Sequence, residues 1–240
     1  MRIGRVAIFL VLAAASRAQT VDELIAKNLA ARGGAEKLRG IQTMSMTGTI
    51  SFGDQSSPLT VKVKRPAQIR EDFAVQGTDI TRAYDGTAGW EMQKADPAPK
   101  IRPLSDGELD NIREEAENAI EGPLLDYAKK GCKAEYLGKD TVNGTPVFKL
   151  KITTKMGTAI TQFLDGASYL EIYEEIERSV DGKIATIVED VGDYHDVDGV
   201  KFAHRFVSGS RENPKASTLQ IEKMQLNGPV GADVFQMPKQ

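Results

Sequence analysis

The 240 residues are enough for one large β domain or two small ones, and a composition of 40% hydrophobic and 27% charged residues is ordinary for a globular chain. The formal charge is −3, and removal of the first 18 residues, with their three arginines and no acids, would leave 28 basic residues against 34 acidic ones. That balance argues against nucleic acid and against a polybasic contact with a membrane surface, and the single cysteine, Cys132, excludes an intrachain disulfide.

Met1–Ala18 opens with Arg2 and Arg5, continues through the apolar run Val6–Ala15 and ends on Ser16-Arg17-Ala18, with small residues at the cleavage positions. This is the pattern of a secretory signal peptide, too short to span a membrane as a helix. No cysteine follows it to carry an N-terminal lipid. The expectation is an exported, soluble, unanchored chain whose residues 19–240 form one domain.

Thr20–Arg32 is predicted to be an amphipathic helix: Val21, Leu24, Ile25 and Leu29 share a face, Thr20 and Glu23 fit a capping box, and Gly33-Gly34 stops it. Thr43–Phe52 alternates, with Met44, Met46, Ile50 and Phe52 on one face. In Leu59–Arg65 the inward row Leu59, Val61 and Val63 ends in Arg65, a permanent charge that needs partners or a position at a mouth. Gln68–Val75, with Glu71 interrupting Ile69, Phe73 and Val75, is followed by Thr78–Tyr84 and Gly89–Met92, an antiparallel run with tight connections. Lys94–Pro103, with three prolines, is expected to be irregular. Ser105–Lys130 has helical spacing, a capping box at Ser105 and Glu108, a kink at Gly122-Pro123 and a stop at Gly131.

Strands then return: Lys133–Val142, Pro146–Thr154, Ala159–Leu164, Tyr169–Val180, Ile184–Val197, Val200–Arg211 and Ala216–Leu226, divided by turns such as Asn143-Gly144 and Asp198-Gly199. Regular strands with hairpin turns point to a meander that curls into a barrel or half-barrel, with the few helices plugging or capping it. The charges Arg65, Glu71, Glu174 and Arg178 fall in inward rows, either as structural ion pairs or as the lining of a wet opening.

Catalytic and metal patterns are absent. Asp193, His195, Asp196 and Asp198 fail as a calcium loop, since Gly199 at its sixth position puts Tyr194 first and Arg205 twelfth; a turn explains the same residues. His204 shares a face with Phe202 and Phe206, Cys132 has no histidine near it, and no G-x-S-x-G, HExxH or CxxC occurs. The chain reads as a binding protein rather than an enzyme, without metal or cofactor.

Val63-Lys64-Arg65-Pro66, then Ile69, Tyr84-Asp85-Gly86 and Trp90 resemble the V-K-R-P, D-G and W stretch of LolA/LolB-like periplasmic lipoprotein carriers. The opening helix, the segment Asp193–Arg205 and the tail Val234–Pro238 are similar to lipoprotein-sorting proteins of that superfamily. The resemblance implies a mainly β (α+β) fold, a strongly curved, unclosed antiparallel β-barrel with helices lidding its concave apolar face. It implies a monomeric periplasmic carrier that binds acyl chains of lipoproteins or free lipid and delivers them towards the outer membrane, with inner- and outer-membrane lipoprotein machinery as partners. It makes Arg65 a latch on the lid, and Glu71 departs from an aromatic position of the family. The acyl cavity would then be lined by Met44, Met46, Ile50, Phe52, Val61, Val63, Ile69, Phe73, Trp90, Leu109 and Ile112, and methionines, Met92 and Met224 among them, would make it adaptable. A ligand-sensing module of the same fold and a cargo-free structural envelope domain are the alternatives.

Overall fold

Alternating strands joined by tight turns build one sheet in the computed structural model, which describes residues 20–180 and 183–239. The expected signal segment lies outside the described residues. Strands β1 (Thr43–Phe52), β2 (Gln55–Lys64), β3 (Gln68–Val75), β4 (Thr78–Tyr84), β5 (Gly89–Gln93) and β6 (Lys100–Pro103) form one antiparallel meander. A second consists of β7 (Lys133–Val142), β8 (Thr145–Thr153), β9 (Ala159–Asp165), β10 (Glu171–Val180), β11 (Lys183–Val197), β12 (Val200–Gly209) and β13 (Ser217–Leu226). Because β1 also pairs with β13, the two meanders make a 13-stranded antiparallel sheet whose edges, β6 and β7, do not meet. The fold is mainly β, as the strand pattern indicated, and the barrel is unclosed, as the family resemblance implied.

The chain must cross from the β6 edge to the β7 edge, and it does so through helix α3 (Asp106–Asn118) and the turns that follow it. This connection roofs the concave face. Glu108 accepts hydrogen bonds from the backbone N and Oγ of Ser105 at the start of α3 (2.8 Å each). Helix α1 (Val21–Ala31) has the expected capping box of Thr20 and Glu23. Its Leu24 and Ile25 pack with Phe148, Leu150, Ile152 and Leu164 of β8 and β9. A second apolar cluster joins β1–β4, the short helix α2 (Ala35–Gly40) and α3, through residues such as Leu38, Met44, Val63, Ile69 and Ile112.

Three expectations change. The helix predicted to reach Lys130 ends at Asn118, because Gly122 (φ 75°), Pro123 and Asp126 (φ 53°) cannot continue it. The segment Lys94–Pro103 is not wholly irregular: Lys100–Pro103 pairs with β5 as an edge strand, where a proline without an N–H is tolerated. Strand β2 starts at Gln55 rather than Leu59, and pairs with β1 as far as Phe52.

Gly48 sits where the β1–β13 register shifts, and a Cβ there would lie 2.1 Å from the Gln220 carbonyl oxygen. The bulge depends on that missing side chain. Gly33 (φ 113°) lets the α1–α2 link approach the β11–β12 turn, its own Cβ position being 2.2 Å from the Gly199 oxygen. Close by, the Lys201 N–H donates to the Arg32 carbonyl at 2.8 Å.

Candidate ligand-binding cavity

Between the concave face, the α3 roof and the C-terminal end of α1 lies a cavity of about 700 Å³, within the usual range for small-molecule sites, roughly 300–1,000 Å³. Seven of the residues expected to line it do so: Met44, Met46, Ile50, Phe52, Val61, Ile69 and Phe73. Register extends that wall across strands the sequence did not connect. Ile50 of β1 lies opposite Leu219 of β13, Leu219 opposite Phe206 of β12, and Phe206 opposite Val191 of β11, all facing the cavity. Met224 pairs with Met46 in the same wall.

The other four of those eleven, and Met92, sit elsewhere. Trp90 pairs with Ala83, one step out of phase with Tyr84 and Ile69, so it projects from the convex face; it is 1% exposed and its Nε1 donates to the Phe235 carbonyl at 2.8 Å. It anchors the C-terminal 3₁₀ turn Ala232–Phe235 and is not part of the cavity wall. Met92, two residues on, shares its face and is also outside the wall. Val63 is fully buried in the core with Ile112, which fastens α3 to the sheet. Leu109 packs over Gly89, its Cδ1 3.1 Å from the position a Cβ would take. Packing consumes these three side chains before the cavity begins.

Of the inward charges, Glu71 both pairs and lines the cavity, Glu174 and Arg178 line it without an ion pair among the described residues, and Arg65 pairs outside its wall. Glu71 of β3 takes two bonds from Arg82 of β4, at 3.0 Å and 2.7 Å, and Arg82 reaches Glu115 of α3 at 3.2 Å. From the opposite half of the sheet, Arg178 of β10 donates to Asn111 of α3 at 2.9 Å, and Thr158 donates to Glu114 at 2.7 Å. Polar links therefore tie α3 to both halves of the open barrel.

Arg65 stands at the centre of a second set. Its Nε donates to the Ile41 carbonyl (2.6 Å) and its Nη2 to the Leu38 carbonyl at the end of α2 (3.1 Å); Nη2 also lies 2.8 Å from the Glu121 carboxylate. Glu121, in the turns after α3, has a side chain only 6% exposed and takes a second cation, Lys130, at 2.9 Å. Arg32 at the end of α1 donates to the Glu121 carbonyl at 2.6 Å, and burial pulls its pKa down.

The fold has counterparts among solved structures. A domain assigned to outer membrane lipoprotein sorting in Vibrio parahaemolyticus superposes with a TM-score of 0.55 at 12% identity, covering 88% of this chain and 97% of that one. A LolA superfamily protein from Nitrosomonas europaea gives 0.59 at 12% identity over 92% and 99%. A DUF1329 family protein from Desulfovibrio piger gives 0.57 at 10% identity over 91% and 98%. The fold is LolA-like. No family model and no curated protein matches the sequence. No helix among the described residues is long and apolar enough to cross a membrane.

Within this LolA-like sheet, one side of the cavity is polar. Gln162 of β9 lies opposite Glu174 of β10, Glu174 opposite Glu189 of β11, Glu189 opposite Ser208 of β12, and Ser208 opposite Ser217 of β13. All five line the cavity, in the row beside the apolar one. A register shift leaves Ile172 extra between Glu171 and Tyr173, so Glu171 faces the cavity together with Glu174 although they are an odd number of positions, three, apart. Burial pushes the carboxyls of Glu171 and Glu174 up, and the neighbouring Glu174 raises Glu171 further. Burial and then Glu174 push Glu189 up to about 7, against a hydrogen bond from Ser208 at 3.0 Å.

The Asp193–Asp198 segment is a hairpin end: His195 bonds Asp193 at 2.9 Å and stacks on His204, whose Nδ1 lies 3.0 Å from the Phe202 carbonyl. Among the described residues no group of three or more His, Cys, Asp or Glu is placed to hold a metal.

Proposed function

We propose that the chain is an exported periplasmic carrier that takes acyl chains of lipoproteins or free lipid into this cavity and delivers them towards the outer membrane. The observation that carries the reading is the 700 Å³ hollow between the apolar wall and the α3 roof. On this reading Met46, Ile50, Val61, Phe73, Phe206 and Leu219 touch the acyl chain. Arg65 holds the roof to α2 while the site is unloaded. Burying a methylene is worth about 0.8 kcal/mol, so a long chain offers on the order of 10 kcal/mol before the cost of ordering it. That gain drives loading without a nucleotide.

The same proposal places the single domain at residues 19–240 and makes inner- and outer-membrane lipoprotein machinery its partners. Solvent extraction and mass spectrometry of the purified chain should find co-purified acyl lipid. A lipid-free preparation that also fails to take up a neutral apolar dye would overturn the carrier and favour a cargo-free envelope domain.

A further inference from the structure

We propose, resting on the acyl-carrier reading, that the cavity is built for an amphiphile with a cationic, hydrogen-bond-donating head: an alkylammonium or the amine of an aminolipid, seated on Glu171, Glu174 and Gln162. Three carboxylates, those of Glu171, Glu174 and Glu189, face the cavity from adjacent strands, and none of them is ion-paired among the described residues. Of the four cations that share the cavity, Arg32 is engaged with backbone carbonyls, Arg82 with Glu71 and Glu115, and Arg178 with Asn111, while Lys201 is exposed to solvent.

Unfilled polar atoms point the same way. Gln162 is 4% exposed; its Nε2 donates to Glu171 at 3.0 Å, and its Oε1 has no partner. Among the residues that line the cavity, the Oε1 atoms of Glu171 and Glu114 are likewise buried without a partner, against one unfilled donor, Nε of Arg178. With Glu171 and Glu174 ionised, three open acceptors stand against one open donor; that calls for a ligand that brings protons, and a buried carboxylate gains most from a positive one. The bulge at Ile172 is what aims Glu171 into the cavity beside Glu174.

The tail has its place too. Glu189, Ser208 and Ser217 stand two residues from Val191, Phe206 and Leu219 on the same strands, a step of about 7 Å. A head on the polar row lays its chain along the apolar row.

The test is displacement of the neutral dye phenylnaphthylamine by dodecylamine, dodecanol, dodecanoate and a lauroyl lysophosphatidylethanolamine at neutral pH. Dodecylamine should displace the dye at a concentration about tenfold or more below dodecanoate, the value of one charge-assisted bond. The Glu171→Gln/Glu174→Gln variant should shrink the potency ratio of dodecylamine to dodecanol. A preference shared by the lysolipid assigns an aminolipid head; one confined to dodecylamine assigns a simple amine. Equal displacement by all four probes, or a preference for dodecanoate, overturns the head-group assignment and leaves the carrier standing. Displacement by none overturns both.

Discussion

Replacing Arg65 by leucine removes a guanidinium that ties three chain segments together. The bonds to the Ile41 and Leu38 carbonyls are lost, and Glu121 is left with Lys130 as its one remaining cation. Deleting one partner of a buried ion pair costs about 3–5 kcal/mol; Lys130 still neutralises Glu121, so the lower end, about 3 kcal/mol, is expected. With a urea m-value of roughly 1–3 kcal/mol per M, the unfolding midpoint should fall by about 1 M or more. A double-mutant cycle with Glu121→Gln should return a coupling of about 1.5–3 kcal/mol, because the bond joins two charged groups. On the carrier reading, loading breaks the same link, so a variant that never forms it should bind a fluorescent fatty acid about tenfold or more tightly, since each 1.4 kcal/mol is a factor of ten. The variant should also release it more slowly. Additive unfolding energies would refute the Arg65–Glu121 link, and an unchanged affinity and release would refute the latch.

The raised carboxyl of Glu189 makes folding favour the protonated side chain. The stability it contributes is full below the ordinary glutamate range and is lost as pH rises through about 7. The loss is at most about 3 kcal/mol, and Glu189→Gln should flatten the thermal midpoint between pH 5 and pH 8 (roughly, the span over which such a group titrates); an equal slope in the variant would contradict the assignment. Gly33→Ala places a Cβ 2.2 Å from the Gly199 oxygen at a positive φ, so it should cost about 1–3 kcal/mol or more by urea unfolding; an unchanged midpoint would show that the α1–α2 link does not press on the β11–β12 turn. Trp90 reports the docked C-terminal turn and not the cavity, so its emission should shift to the red when residues 232–240 are deleted and stay fixed on acyl loading.

The strands were legible because alternation survives in each one, and tight turns such as Asn143-Gly144 mark their ends with residues at positive φ. The inward face of β1 and β2 followed from that alternation alone, which is why Met46, Ile50 and Val61 line the cavity. Trp90 failed for a related reason: its strand is short and its phase is fixed by pairing with Ala83, which the sequence does not display. The extent of the helix after Ser105 failed because apolar spacing continues through Ile120, Leu124 and Leu125, which are buried in turns rather than on a helix. Of the polar row only Glu174 was visible, with Arg178 further along the same strand. Gln162 and Glu189 join it through cross-strand register, and Glu171 joins through a bulge that strict alternation would place on the other face.

The roof is too well anchored to lift away as a unit. Ile112, Ile120, Leu124 and Leu125 are each buried to within a few per cent, and exposing an aliphatic side chain of that size costs about 1.5–3 kcal/mol. Freeing all four would cost roughly 6–12 kcal/mol, about what a long acyl chain gains by burial. Wholesale opening would therefore cancel the driving force it was meant to admit. On the carrier reading, a loaded state keeps those side chains seated and fills the hollow that already stands beneath them, which restricts movement to the polar links at the rim. Those links are individually a few kcal/mol at most, small enough for the ligand to break one or two and still bind. On that reading the division of labour follows from the magnitudes: buried aliphatic groups fix where the roof sits, and Arg65, Arg82 and Arg178 set how readily its margin parts.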